Sequence, residues 1–273
     1  MLINPRRKFV LHTNSKCGGT TLRLWFFDTL GLFENRLNPF TEFSLYGPAL
    51  YARFLTRPSL TLAILRDGHD LPSTDVRLLS RSYEKHVSSR FRATAERERW
   101  PSILVTRDPA SRLVSAFYDK FCGEDVNKPW VREVVHAASP GETITFNQFL
   151  DWLSTADLDN VNPHWIRQSR IVDRHRIDHL IKLEEINERF NELVPLTGGK
   201  RDFFLDNRRQ QSPTSKGGAG AQITPDTPNT EIIAFHREHG VHPGKKVLLT
   251  PDTASRIAKI YARDYAALGY TAG

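Results

Sequence analysis

Two short segments of the chain carry residue types suited to holding an anion. Ser15-Lys16-Cys17-Gly18-Gly19-Thr20-Thr21 combines a mobile cation, two glycines and several hydroxyls. About ninety residues further on, Arg107-Asp108-Pro109 is followed by Arg112 and Ser115. An arginine offers a planar fork that matches a phosphate, and Ser115 can point back to the same group. Gly18 and Gly19 allow a close backbone approach and unusual backbone angles. Thr20 and Thr21 supply hydroxyl donors and a helix cap. The first segment is not a Walker A loop, because its lysine precedes its glycines. Taken alone, it reads equally as an ordinary Gly turn before a helix. Asp108 and Arg112 read as a local ion pair that fixes the second turn.

Each segment follows a short apolar run, Phe9-Val10-Leu11 or Ile103-Leu104-Val105. Each therefore reads as strand, turn and helix start, where free N–H groups and the helix dipole attract an anion. The patterning predicts strands at 8–13, Leu60–Leu65, Ser102–Thr106 and Asp178–Leu183. It predicts helices at Thr20–Leu30, Asp75–Arg92, Pro109–Phe121, Phe146–Leu153, Glu184–Leu193, Asn229–Glu238 and Pro251–Leu268. This alternation implies an α/β fold, one domain over 1–273 with a central parallel sheet flanked by helices, and the two strand–turn–helix segments suggest a P-loop-like nucleotide-binding core. Ligands bind at the carboxyl ends of such strands. Residues 198–230 break the pattern, with Lys200, Arg201, Arg208, Arg209 and Lys216 set among Gly, Ser, Pro and Gln, and are expected to form a mobile loop.

The bulk properties exclude several classes. Of 273 residues, 39% are hydrophobic and 25% charged, which argues against a disordered chain. No apolar run is long enough for a transmembrane helix, and Met1 to Lys8 lacks the form of a signal peptide. Two cysteines, Cys17 and Cys122, make no disulfide framework, so a reducing, cytoplasmic setting is expected. A net charge of +7 favours anionic partners without selecting one.

The chain resembles the PAPS-dependent sulfotransferases, PAPS being 3′-phosphoadenosine 5′-phosphosulfate, and most nearly the carbohydrate sulfotransferase branch (family 2). Lys16 to Thr21 is similar to its 5′-phosphosulfate loop. Arg107-Asp108-Pro109-Ala110-Ser111-Arg112-Leu113-Val114-Ser115-Ala116-Phe117-Tyr118 is similar to its 3′-phosphate motif. Asn162-Pro163-His164-Trp165-Ile166-Arg167-Gln168 resembles a His-Trp-x-x-Gln element, and Asp264-Tyr265 with Leu268-Gly269-Tyr270 resembles the closing Asp-aromatic…Gly-Tyr. The matches come in family order. Residues 32–80 and 196–250 match nothing in that pattern, and acceptor contacts are expected there.

The resemblance implies in-line sulfuryl transfer from PAPS to a hydroxyl, or less readily an amine, of a carbohydrate or related metabolite. Lys16, Cys17, Gly18, Gly19, Thr20 and Thr21 would hold the phosphosulfate, and Arg107 and Ser115 the 3′-phosphate. Lys216 resembles a Lys-Gly element at the same phosphate. Lys16 would also stabilise charge on the bridging oxygen. The acceptor's proton needs a base, and histidine is the default. His86 comes first, by its place between the two segments, and His164 second; Glu84, His69 and His12 are further candidates. Trp130 and Trp165 could stack on a sugar or adenine. No metal and no nucleic acid are expected. Two other readings stay open: a P-loop-like small-molecule kinase, with Asp67 or Asp108 on magnesium, and a non-catalytic polyanion binder.

Overall fold

The computed structural model describes residues 1–31, 56, 71, 73–199 and 222–272. The expected strand at Leu60–Leu65, together with Asp67, His69 and Lys216, lies outside them. The described chain divides into two compact units: Met1–Thr13, Cys17–Thr106 and His175–Gln210 make the first, and Asn14–Lys16, Arg107–Arg174 and Gln211–Gly273 the second.

Among the described residues, the first unit holds a four-stranded sheet in the order β1 (Leu2–Asn4), β2 (Phe9–Thr13), β3 (Ser102–Thr106), β4 (His179–Lys182). β2, β3 and β4 run parallel, and β1 is an antiparallel edge strand. The sheet is thus mixed at one edge rather than wholly parallel. Strand β1 escapes sequence reading because three residues carry no period; its pairing with β2, Leu2 opposite Leu11, makes it a strand. Every residue of β3 is buried, as befits a central parallel strand covered on both faces. Thr13 lies opposite Val105, so the carboxyl ends of β2 and β3 sit side by side. Both chemistry-bearing segments leave the sheet from that edge.

Helix α1 (Gly19–Thr29) packs Trp25 and Phe26 on Phe9 of β2, with ring centroids 6.0 and 5.8 Å apart. The predicted helix 75–92 is longer and interrupted: α2 (Ser73–Tyr83), a π turn (Glu84–Ser88) and α3 (Ser89–Arg97). The helix expected at Glu184–Leu193 is instead a run of single turns over Leu183–Thr197, stopped by Gly198 at φ 64°.

The second unit is helical: α4 (Pro109–Phe121), α5 (Pro129–Ala138), α6 (Phe146–Thr155), α7 (Asn229–His239), α8 (Pro251–Ile260) and α9 (Ala262–Leu268). Asp108 caps α4 by accepting from the Ser111 N–H at 2.7 Å, with Pro109 at the first helical position. Reciprocal capping boxes, Thr145 with Gln148 and Thr250 with Thr253, start α6 and α8. The single helix expected over 251–268 breaks at Tyr261, whose hydroxyl donates to the Trp165 carbonyl at 2.5 Å. Trp165 is fully buried among Phe121, Phe149 and Trp152, so it is a core residue rather than a stacking platform for a ligand.

Candidate functional site

Residues 14–18 link β2 to α1. Gly18 is the N-cap of α1 in the left-handed region at φ 70°, and among the described residues no side-chain cap forms at that position. The caps expected of Thr20 and Thr21 do not form, because the helix begins before them. An added Cβ at Gly18 would lie 3.0 Å from Leu183 Cδ1, so the backbone runs close to the segment after β4. An uncapped helix start with a glycine in this conformation presents N–H donors to an anion.

Lys16 itself stands at φ 66°, unusual for a residue with a side chain. Two arginines from the second segment hold it. Arg107 Nη1 donates to the Lys16 carbonyl at 2.9 Å, and Arg112 Nε donates to the Ser15 carbonyl at 3.0 Å. Arg112, 1% exposed, also donates to the Pro163 carbonyl at 3.2 Å. Asp108 does fix its own turn, as a helix cap, while Arg112 reaches the first segment. The sequence shows two neighbouring opposite charges, and their spacing carries no mark of a carbonyl 97 positions away.

The ammonium of Lys16 rests on the Asp119 carboxylate at 3.0 Å. Asp119 also meets Lys120 at 2.7 Å, and Lys120 bonds Asp125, which bonds Lys128. Arg112, Ser115 and Asp119 are spaced three and four apart along α4 and so share one stripe of that helix. The outer two touch residues 15 and 16, which turns Ser115 toward the same loop. Burial lowers the pKa of Lys16; Asp119 opposes this, while Lys120 and Arg107 add to it. Burial pushes the Asp119 carboxyl up, but Lys16 and Lys120 outweigh it and hold it down at about 2.

His164 lies in the same field. Burial first, then Lys120 and Lys16, press its pKa down to about 3, and its Nδ1 is buried without a hydrogen-bond partner. Its ring stacks on Trp130 at 6.3 Å. Sequence reasoning missed His236 and His242, which stack at 4.1 Å, with His242 also on Tyr118 at 5.0 Å. Burial and His236 lower His242 to about 4, and Lys16 and Asp119 both act on it. No motif surrounds either histidine, so no sequence signal marked them. His86 stands in the π turn, which is tied to the edge strand: Ser88 Oγ accepts from Ile3 N–H, and Tyr83 donates to the Ile3 carbonyl. His12 is buried in β2 against His175, ring centroids 4.7 Å apart.

The segments picked out by resemblance interlock. Gln168 brackets the Arg107 backbone, its Oε1 accepting from the N–H at 3.0 Å and its Nε2 donating to the carbonyl at 2.8 Å. Asp264 accepts from the N–H groups of Gln168 and Ser169 at 2.9 and 2.8 Å. Gly269, at φ 68°, ends α9. A sequence model of the sulfotransferase family matches residues 1–271. The chain belongs to the sulfotransferase family. Comparison with curated proteins and with solved structures gives no match. As a sulfotransferase the protein is a transferase of sulfuryl groups, and members of this family generally take PAPS as donor. Among the described residues of this sulfotransferase, no helix is long and apolar enough to cross a membrane.

Proposed function

We propose that this sulfotransferase moves a sulfuryl group from PAPS to a hydroxyl of a carbohydrate or related metabolite. The observation that carries the donor reading is the uncapped, left-handed start of α1 directly after a lysine whose carbonyl is gripped by Arg107. Lys16 and the N–H groups of residues 18–21 would take the phosphosulfate, and Arg107 and Ser115 the 3′-phosphate. Cys17, buried in the same loop, is proposed to line it beside Lys16. Lys216 remains a further candidate for the 3′-phosphate.

The acceptor oxygen attacks sulfur as the bond to the bridging phosphate oxygen breaks. Adenosine 3′,5′-bisphosphate leaves, and the hydroxyl proton passes to a base. Positioning and charge stabilisation supply most of the acceleration in a transfer of this type. Lys16 supplies positive charge where negative charge grows. For the base we favour His164 over His86, because His164 shares the field of Lys16. A pKa of about 3 leaves it neutral and able to accept. An anionic donor beside Lys16 would raise that pKa towards the working pH, where a base is most effective.

Calorimetric titration with adenosine 3′,5′-bisphosphate and, separately, with ATP and magnesium tests the donor reading. The bisphosphate should bind more tightly, without added metal. Arg107→Ala should weaken it by about 2–4 kcal/mol, since a charged partner is stripped from a bound phosphate. Equal responses to the two nucleotides, or none, would remove the proposal.

A further inference from the structure

Lys16 is surrounded mostly by groups that disfavour its charge. Its side chain is 19% exposed, and burial is the largest influence on its ammonium. Lys120 on α4 and Arg107 before α4 add repulsion. His164, from the segment before Gln168, and His242, after α7, face the same region as neutral rings and bring no counter-charge. Asp125, the next carboxylate along, is engaged by Lys120 and Lys128. Asp119 is the group that acts in the other direction, by contact at 3.0 Å.

We infer that Asp119 is a positioning residue for Lys16: its carboxylate keeps the ammonium charged and placed before the donor arrives, then yields it to the donor's anionic groups. The second half of this inference rests on the donor reading above. The arrangement suits such an exchange. Losing one partner of a buried pair normally strands a charge, but the Asp119 side chain is 42% exposed and keeps contact with water. Here Lys120, 5% exposed and 2.7 Å away, stays on Asp119 when Lys16 departs. The carboxylate therefore keeps a counter-ion throughout. While it holds Lys16 it also repels an incoming anion, so it sets an affinity below what the cations alone would give.

The donor-free protein and its Asp119→Asn variant provide the test. Lys16 is labelled with an amine-acylating reagent from neutral to alkaline pH and read by peptide mass spectrometry. Only the uncharged amine reacts, and removing Asp119 removes the group that raises the Lys16 pKa. The variant's labelling curve should therefore shift to lower pH, and Asp119→Glu should restore it. The alkaline limb of its turnover profile should move in the same direction. At a pH below the onset of labelling in either protein, where Lys16 is charged in both, the variant should bind adenosine 3′,5′-bisphosphate about three- to tenfold more tightly. Asp119→Ser replaces the amide variant if that does not fold. A labelling curve that does not move overturns the inference, whatever the nucleotide does. An unchanged bisphosphate affinity with a shifted curve overturns the exchange and leaves only the pairing. Wild-type protein that takes no bisphosphate would instead remove the donor reading, a result on which the labelling arm does not depend.

Discussion

Lys16 concentrates the demands on the site. A side chain at φ 66° costs about 1–2 kcal/mol relative to ordinary backbone. It persists because Arg107 and Arg112 fix the carbonyls of Lys16 and Ser15. Its ammonium is placed by Asp119 and its own carbonyl by Arg107, so one residue joins both chemistry-bearing segments. On the donor reading its charge matters most where the bridging oxygen becomes negative. Lys16→Ala should therefore lower turnover by about 10²–10³-fold, in line with loss of one preorganised stabiliser. Bisphosphate affinity should fall far less, because the N–H groups of α1 remain. Parallel loss of both, measured by steady-state kinetics beside calorimetry, would make Lys16 a binding residue only.

At the scale of elements, the site depends on segments that brace one another. Asp264 on α9 is fully buried and accepts two backbone N–H groups, while Gln168 passes that constraint to the backbone of Arg107. Asp264→Ala leaves two buried donors unpaired, so it should destabilise the protein by about 2–4 kcal/mol in urea unfolding. It should also weaken bisphosphate binding through Arg107, though α9 carries none of the proposed ligand contacts. A variant that loses stability while binding normally would show that Arg107 does not need this brace. Helix α4 organises the other side with one stripe, Arg112, Ser115 and Asp119. The sequence marks Ser115 as a phosphate ligand and Arg112 as a local ion-pair partner. The third carried no motif at all.

Across the whole molecule, one buried and two partly buried neutral histidines act on the acid limit. His12 in the first unit and His164 in the second are lowered to about 3, and His242 to about 4. Unfolded, each would protonate near pH 6.5. Between about 6.5 and 3 the unfolded chain binds more protons than the folded one, so stability is complete above that window and declines as pH falls through it. Thermal unfolding followed from neutral pH downward should show this decline beginning well above the carboxylate range. A flat profile down to pH about 4 would mean that these rings titrate freely.

The amino-acid pattern alone determined the α/β alternation, strand Ser102–Thr106 and helix Pro109–Phe121, because short buried runs and an Asp-Pro cap are local signals. It also marked the two segments proposed to hold the donor, whose residue types suit an anion. Tertiary structure decided what local signals cannot encode. Strand β1 exists only through its partner, and Tyr261, where the last helix breaks, bonds a carbonyl 96 positions away. The grip of Arg112 on Ser15, the bracket of Gln168 around Arg107 and the pairing of Asp119 with Lys16 join residues far apart in the chain. A hydrogen bond or ion pair is fixed by distance and burial in space, and neither is written in the spacing of letters.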